Sequence, residues 1–127
     1  MPLPRRGRSL VIFTIVLLTI YAPIETWYSA PELWDPFYLV DFIGMVLLTW
    51  GVARVMRDGG SARGFAILAT GYGWEGANFW RALFGRLEAM GHGEVLRLGA
   101  AELCFVACGT VAALVAMVWS LRLATRP

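Results

Sequence analysis

"ARGFAILATGYGWEGANFWRALF", from Ala62 to Phe84, is the stretch on which the fold turns. About 20 helical residues, each rising about 1.5 Å, cross a hydrocarbon layer about 30 Å thick, so its length suits a membrane-spanning helix. It also carries Thr70, Tyr72, Glu75, Asn78 and Arg81, which suit lipid poorly. Crossing makes the chain a four-span protein with both ends on one side. Failure to cross leaves three spans and the ends on opposite sides.

Its neighbours are less ambiguous. Apolar runs at residues 9–27, 37–56 and 96–121 each meet the length requirement, and with residues 62–84 they make four candidate spans. The whole chain fits this class: of 127 residues, 58% are hydrophobic and only 16% charged, against about a quarter charged in an average soluble domain. Mean hydropathy is positive. The lipid bilayer is therefore the first expected partner. The formal charge of +2, without a basic stripe interleaved with aromatics, argues against nucleic acid.

Arginine placement decides the number of spans, because short cytoplasmic loops collect Lys and Arg. Arg5, Arg6 and Arg8 precede the first run, Arg54, Arg57 and Arg63 surround the second connection, and Arg122 and Arg126 follow the last run. Four spans put all of these on one side. The first connection, "ETWYSAPELWDP", has acids and no basic residue, whereas the third, "GRLEAMGHGEV", is mixed, with Arg86 inside it and Arg81 and Arg97 beside it. The expectation is an all-α, multi-pass protein of a bacterial inner membrane: one domain over residues 1–127, a four-transmembrane-helix bundle with both termini cytoplasmic. Trp27, Tyr28, Trp34 and Tyr38 are placed in an aromatic belt at the outer interface, and Trp50 and Trp119 towards the inner one. The basic start and apolar run resemble a signal peptide, but "WYSA" lacks the small residues of a cleavage site and "GRSL" fits a twin-arginine signal poorly. The first run is read as an uncleaved helix.

Small residues suggest where helices meet. Gly44 and Gly51 share a face of the second run, and Cys104, Cys108, Ala112 and Ala116 make a ridge at four-residue spacing in the last. Such residues let helices approach closely in lipid. Within the deciding stretch, "GYGWEG" matches the G-x-G-x-x-G dinucleotide pattern, but that pattern needs a strand before it and a βαβ setting. Gly71, Gly73 and Gly76 are read instead as thinning a helix so that neighbours or a ligand approach its backbone.

A single His92 rules out bis-histidine haem and multi-histidine metal sites, and neither a Walker loop nor a nucleophile elbow stands in the chain. No cofactor and no metal are expected. The acids remain. An ionisable group deep in a bilayer costs at least about 2.5–3.5 kcal/mol on insertion scales and usually faces the bundle interior for a purpose. Each run contributes one: Glu25, Asp41, Glu75 and Glu102. Counted from the outer boundary they make a funnel of carboxylates with Glu75 at its floor. Asn78 shares the face of Glu75, Arg81 is placed to pair with Asp41 or Glu102, and Tyr72, Trp74, Phe79 and Trp80 form an aromatic wall.

Three function classes follow. The first is a protein that binds or transports a cationic or lipophilic small molecule in an acidic intramembrane cavity, exchanging it for protons at Glu75 and a second acid. Its ligand contacts are Glu75, Asn78, Tyr72, Trp74, Trp80, Asp41, Glu102 and Arg81, and because four helices are few for a pathway, a homodimer is expected. The second is an accessory or assembly subunit of a larger membrane complex. The third is a membrane-embedded acid-base enzyme, an isomerase or cyclase acting on an isoprenoid or sterol-like lipid, with Glu75 as acid, Asp41 or Glu102 as base, and Trp74 or Trp80 supporting a developing cation.

Overall fold

A computed structural model describes residues 5–30 and 36–125. Trp34 of the aromatic belt, Glu32 and Asp35 of the first connection, and Arg126 lie outside them. Four helices follow in chain order: α1 (Arg5–Ser29), α2 (Pro36–Arg57), α3 (Ala62–Gly91) and α4 (Ala100–Ala124). Three of them, over Gly7–Ser29, Tyr38–Arg57 and Ala100–Ala124, are long and apolar enough to cross a membrane. The chain is a multi-pass membrane protein. Their outward faces agree, since Ile12, Ile20, Phe42, Val46, Val111 and Val115 are all exposed, in a density that a water-soluble surface avoids.

α3 is not among the three, and its length and place explain why. It extends seven residues past the expected end at 84, to Gly91, and α4 begins at Ala100 rather than 96, so the third connection is a short loop. α3 packs along both α2 and α4, while α1 touches these two more sparsely. Its exposed face is Ala66, Thr70, Trp74, Ala77, Trp80 and Phe84, recurring every three to four residues, and its opposite face buries Leu68, Tyr72 and Glu75. A hydropathy window averages the two faces. The helix that looks too polar for lipid turns Tyr72, Glu75 and Asn78 inward, while Thr70 and Arg81 stay exposed.

The α2–α3 hairpin is tight for local reasons. Gly59 and Gly60 hold φ of +64° and +94°, which side chains rarely adopt, and Ser61 caps α3 by accepting a hydrogen bond from the Gly64 N–H at 3.2 Å. The two helices then run antiparallel with little between their backbones. A Cβ on Gly51 would lie 2.7 Å from Leu68, one on Gly64 2.8 Å from Val55, and one on Gly71 2.9 Å from Leu48, while one on Gly44 would collide with the Glu75 side chain. Gly44 and Gly51 thus line one seam, answered from α3 by Gly64 and Gly71. In lipid there is no hydrophobic drive between helices, so this close van der Waals packing carries the association. "GYGWEG" lies wholly inside α3, with no strand before it, which disposes of the dinucleotide pattern.

α4 corrects the small-residue ridge. Cys104 and Cys108 are exposed and unbonded, and the buried line is Val106, Thr110, Ala113, Ala116 and Ser120. The physical reason is pitch: a four-residue step turns about 400°, so a strict four-residue stripe drifts about 40° per step and leaves the interface. Spacings alternating between three and four stay on it.

Between these helices lies a core of Leu10, Leu48, Val55, Phe65, Leu68 and Tyr72. α1 is fastened to α3 across it by one short bond of 2.6 Å between the Thr14 and Tyr72 hydroxyls. Thr14 already donates to the Leu10 carbonyl at 2.8 Å, so Tyr72 is the donor in the cross-helix bond.

Candidate functional site

Above this core, at the end of the bundle that holds Tyr28 and Leu98, the helices part around a cavity of about 840 Å3. Each helix delivers polar groups to it. α1 presents Tyr21, Glu25 and Tyr28 on one stripe, α2 presents Asp41, α3 presents Asn78, Arg81 and Arg86, and α4 opens with Glu102. Phe79 and Phe105 supply the apolar wall, with ring centroids 6.3 Å apart, and Tyr21 packs on Phe79 at 5.2 Å. Gly109 makes room for the Phe79 ring, because a Cβ there would lie 2.7 Å from it.

The polar groups divide into two sides. On the α1–α4 side, Glu102 accepts from the Tyr28 hydroxyl at 2.7 Å, from Arg86 Nε at 2.6 Å and from the Leu98 N–H at 3.2 Å. It stands in the first turn of α4, where a helix N-terminus favours a carboxylate. Arg97 donates to the Tyr28 carbonyl at 3.1 Å and lies over the rings of Trp27 and Tyr28, 5.3 and 5.2 Å from their centroids. Glu102 is thus a capping and pairing group with its acceptor capacity engaged. Its partner is Arg86 rather than the expected Arg81, and it lies at the start of its helix, since α4 begins at Ala100, later than the apolar run from residue 96.

On the α1–α2 side the acids are underused. Asp41 lines the cavity together with Glu25 and Arg81. Glu25 Oε1 also accepts from Ser29 at 3.2 Å. One layer deeper, behind Tyr21, lies Glu75, 2% exposed. Its Oε2 accepts from the Tyr21 hydroxyl at a long 3.5 Å, and its Oε1, turned to the bare backbone of Gly44, has no hydrogen-bond partner among the described residues. Asn78 Nδ2 is equally buried and equally without a partner. Two orphaned polar atoms on one face of α3 are costly, since a buried unsatisfied group forfeits about 1–3 kcal/mol.

Of the residues expected at the site, the structure therefore brings Glu25, Asp41, Asn78, Arg81 and Glu102 to one cavity, with Glu75 beneath. It does not bring Tyr72, Trp74 or Trp80. Tyr72 is consumed in the core by Thr14, Trp74 donates its indole N–H to the Val40 carbonyl at 2.8 Å on the outer surface, and Trp80 is 54% exposed beside Phe84. One helix cannot turn residues 72, 74 and 80 to the same side. The aromatic wall is made instead by Tyr21, Phe79 and Phe105. The sequence carried a signal for α1's share: Thr14, Tyr21, Glu25 and Tyr28 recur at seven, four and three residues, a polar stripe along one face.

No family model matches the chain, and no curated protein or solved structure matches it either. The reading of function rests on the cavity.

Proposed function

We propose that this chain binds a lipophilic cation in the cavity and, as a homodimer, moves it across a bacterial inner membrane. The observation that carries the proposal is the pair Glu25 and Asp41 on the α1–α2 side of the cavity, with Glu75 buried beneath them, while Arg86 and Glu102 neutralise each other on the other side. The acidic side has carboxyls to spare for a cation. The rings of Tyr21, Phe79 and Phe105 cover an apolar body, and a volume of about 840 Å3 lies within the usual range of about 300–1,000 Å3 for small-molecule sites. Glu75, next to the cavity and closed off by Tyr21, exchanges a proton as the cation enters or leaves.

Four spans with both termini cytoplasmic belong to this proposal. α3 has thirty residues, about 45 Å of helix. It runs beside α2 from the Gly44–Glu75 contact to the Gly64–Val55 contact, and beside α4 from Arg86–Glu102 to Gly73–Met117. Together these contacts run from Gly64 to Arg86, about 33 Å of helix, and a helix alongside two spans over that distance lies in the same slab. The cavity then opens outward, and Arg81, Arg86 and Arg97, which the positive-inside rule disfavours there, are the arginines that line it.

Binding is tested by native mass spectrometry of the purified protein titrated with decylamine and with uncharged decanol. Decylamine should bind at least about tenfold more tightly, and Asp41→Asn and Glu25→Gln should each reduce its binding, since a charge-assisted hydrogen bond contributes about 1.5–3 kcal/mol. Equal binding of the two chains removes the acidic side from the reading. Transport is tested in proteoliposomes, where decylamine uptake should accelerate with an imposed proton gradient and lose that dependence in Glu75→Gln.

A further inference from the structure

The cavity discriminates between two ways of holding a cation. A quaternary ammonium has no N–H and is recognised by the open faces of aromatic rings. A primary or secondary ammonium directs its N–H bonds at acceptors, and carboxylates are the strongest available. The two modes need different walls.

Two of the rings that line the cavity already carry a cation. Trp27 and Tyr28 both carry the Arg97 guanidinium, and Arg86 lies 5.9 Å from the Tyr28 centroid as well. Tyr21 and Phe105 both pack on Phe79, Phe105 in a T-shaped contact. Acceptors, by contrast, are in excess. Glu25 and Asp41 both line the cavity on its α1–α2 side, and Glu75 Oε1 beneath them has no donor among the described residues. Gly44 leaves room for the Glu75 carboxyl and nothing larger.

Resting on the cation-binding proposal, we infer that the cavity selects amphiphiles whose cationic head carries N–H, a primary or secondary ammonium, over a quaternary ammonium with the same chain. The head stands in the cavity beside Glu25 and Asp41 and donates to their carboxylates. A quaternary head of equal charge makes no hydrogen bond to those acceptors and must compete with Arg97 for the rings of Trp27 and Tyr28.

The test is a native mass spectrometry titration of the purified protein with decylamine, N-methyldecylamine and decyltrimethylammonium at one pH. The two N–H-bearing cations should bind at least about tenfold more tightly than the trimethyl cation, the equivalent of one charge-assisted hydrogen bond. Asp41→Asn should shrink that preference to less than about threefold, and Asp41→Glu should keep it. Decyltrimethylammonium binding as well as decylamine overturns the inference and leaves cation binding intact. Failure of all three to bind overturns both.

Discussion

Gly44→Ala is the perturbation that tests the floor of the cavity most directly. Gly44 is buried within α2, and a Cβ there would collide with the Glu75 carboxylate and lie 2.9 Å from its Cγ. Two terms oppose each other. Alanine gains about 1 kcal/mol over glycine in a helix interior, while forcing a methyl into a filled space costs about 1–3 kcal/mol. The single variant should lose up to about 2 kcal/mol. In a Glu75→Ala background the obstacle is gone and only the propensity gain remains, so the same substitution should stabilise by about 1 kcal/mol. The coupling between the two positions is then about 1–3 kcal/mol. It is read from reversible unfolding in mixed micelles titrated with a denaturing detergent. Gly85→Ala is the reference, since a Cβ there meets nothing within 4 Å and the gain should appear undiminished. If Gly44→Ala has the same effect in both backgrounds, within about 0.5 kcal/mol, the Glu75 carboxyl does not lie against Gly44 and the floor described above is wrong.

The Thr14–Tyr72 bond should respond asymmetrically: Tyr72→Phe leaves Thr14 still donating to Leu10 and should cost about 0.5–1.5 kcal/mol, whereas Thr14→Val strands a fully buried phenol and should cost about 1–3 kcal/mol. Equal losses in the same unfolding assay would mean that the donor assignment is reversed. Arg86→Met leaves Glu102, 6% exposed, without its cation and should destabilise by up to about 3 kcal/mol, with more than half recovered in the double variant Arg86→Met, Glu102→Gln; additive losses would count against the pair. Replacing Cys104 and Cys108 by Ala, both on the exposed face of α4, should change stability by less than about 0.5 kcal/mol. In that background, single cysteines at Ser61 and His92 should react with a charged thiol reagent from opposite sides of a sealed liposome, and reaction from one side would show that α3 does not cross.

The helices were legible where one physical quantity decides. For α1, α2 and α4 that quantity is apolar length, and their ends fall within about four residues of the expected ones, the usual uncertainty of a helix boundary. α3 was legible only through its neighbours, because its Glu75, Asn78 and Tyr72 face inward and its exposed side is aromatic and small. The seams were half legible. Gly44 and Gly51, seven residues apart, return to nearly the same angle after two turns, so spacing alone finds them. The four-residue ridge through Cys104 and Cys108 does not return, and only the packing shows it turned outward.

The site was legible by depth and not by partner. Four carboxyls on four helices were a strong signal that polar groups converge, and four helices do converge on one cavity. Which acid is engaged depends on distances that spacing cannot supply. Glu102 was expected to be as available as Asp41, yet Arg86, Tyr28 and the Leu98 N–H engage it, and the mixed third connection is where those arginines come from. The same arginines that weakened the topology argument close the α1–α4 side of the cavity. Arg97 lies over the rings of Trp27 and Tyr28 there, and on the proposed function a cation entering would meet the α1–α2 acids. These arginines pair with one carboxylate and lie over two aromatic rings, which leaves Glu25 and Asp41 on the other side of the cavity, with Glu75 beneath, as the acids the proposed cation would meet.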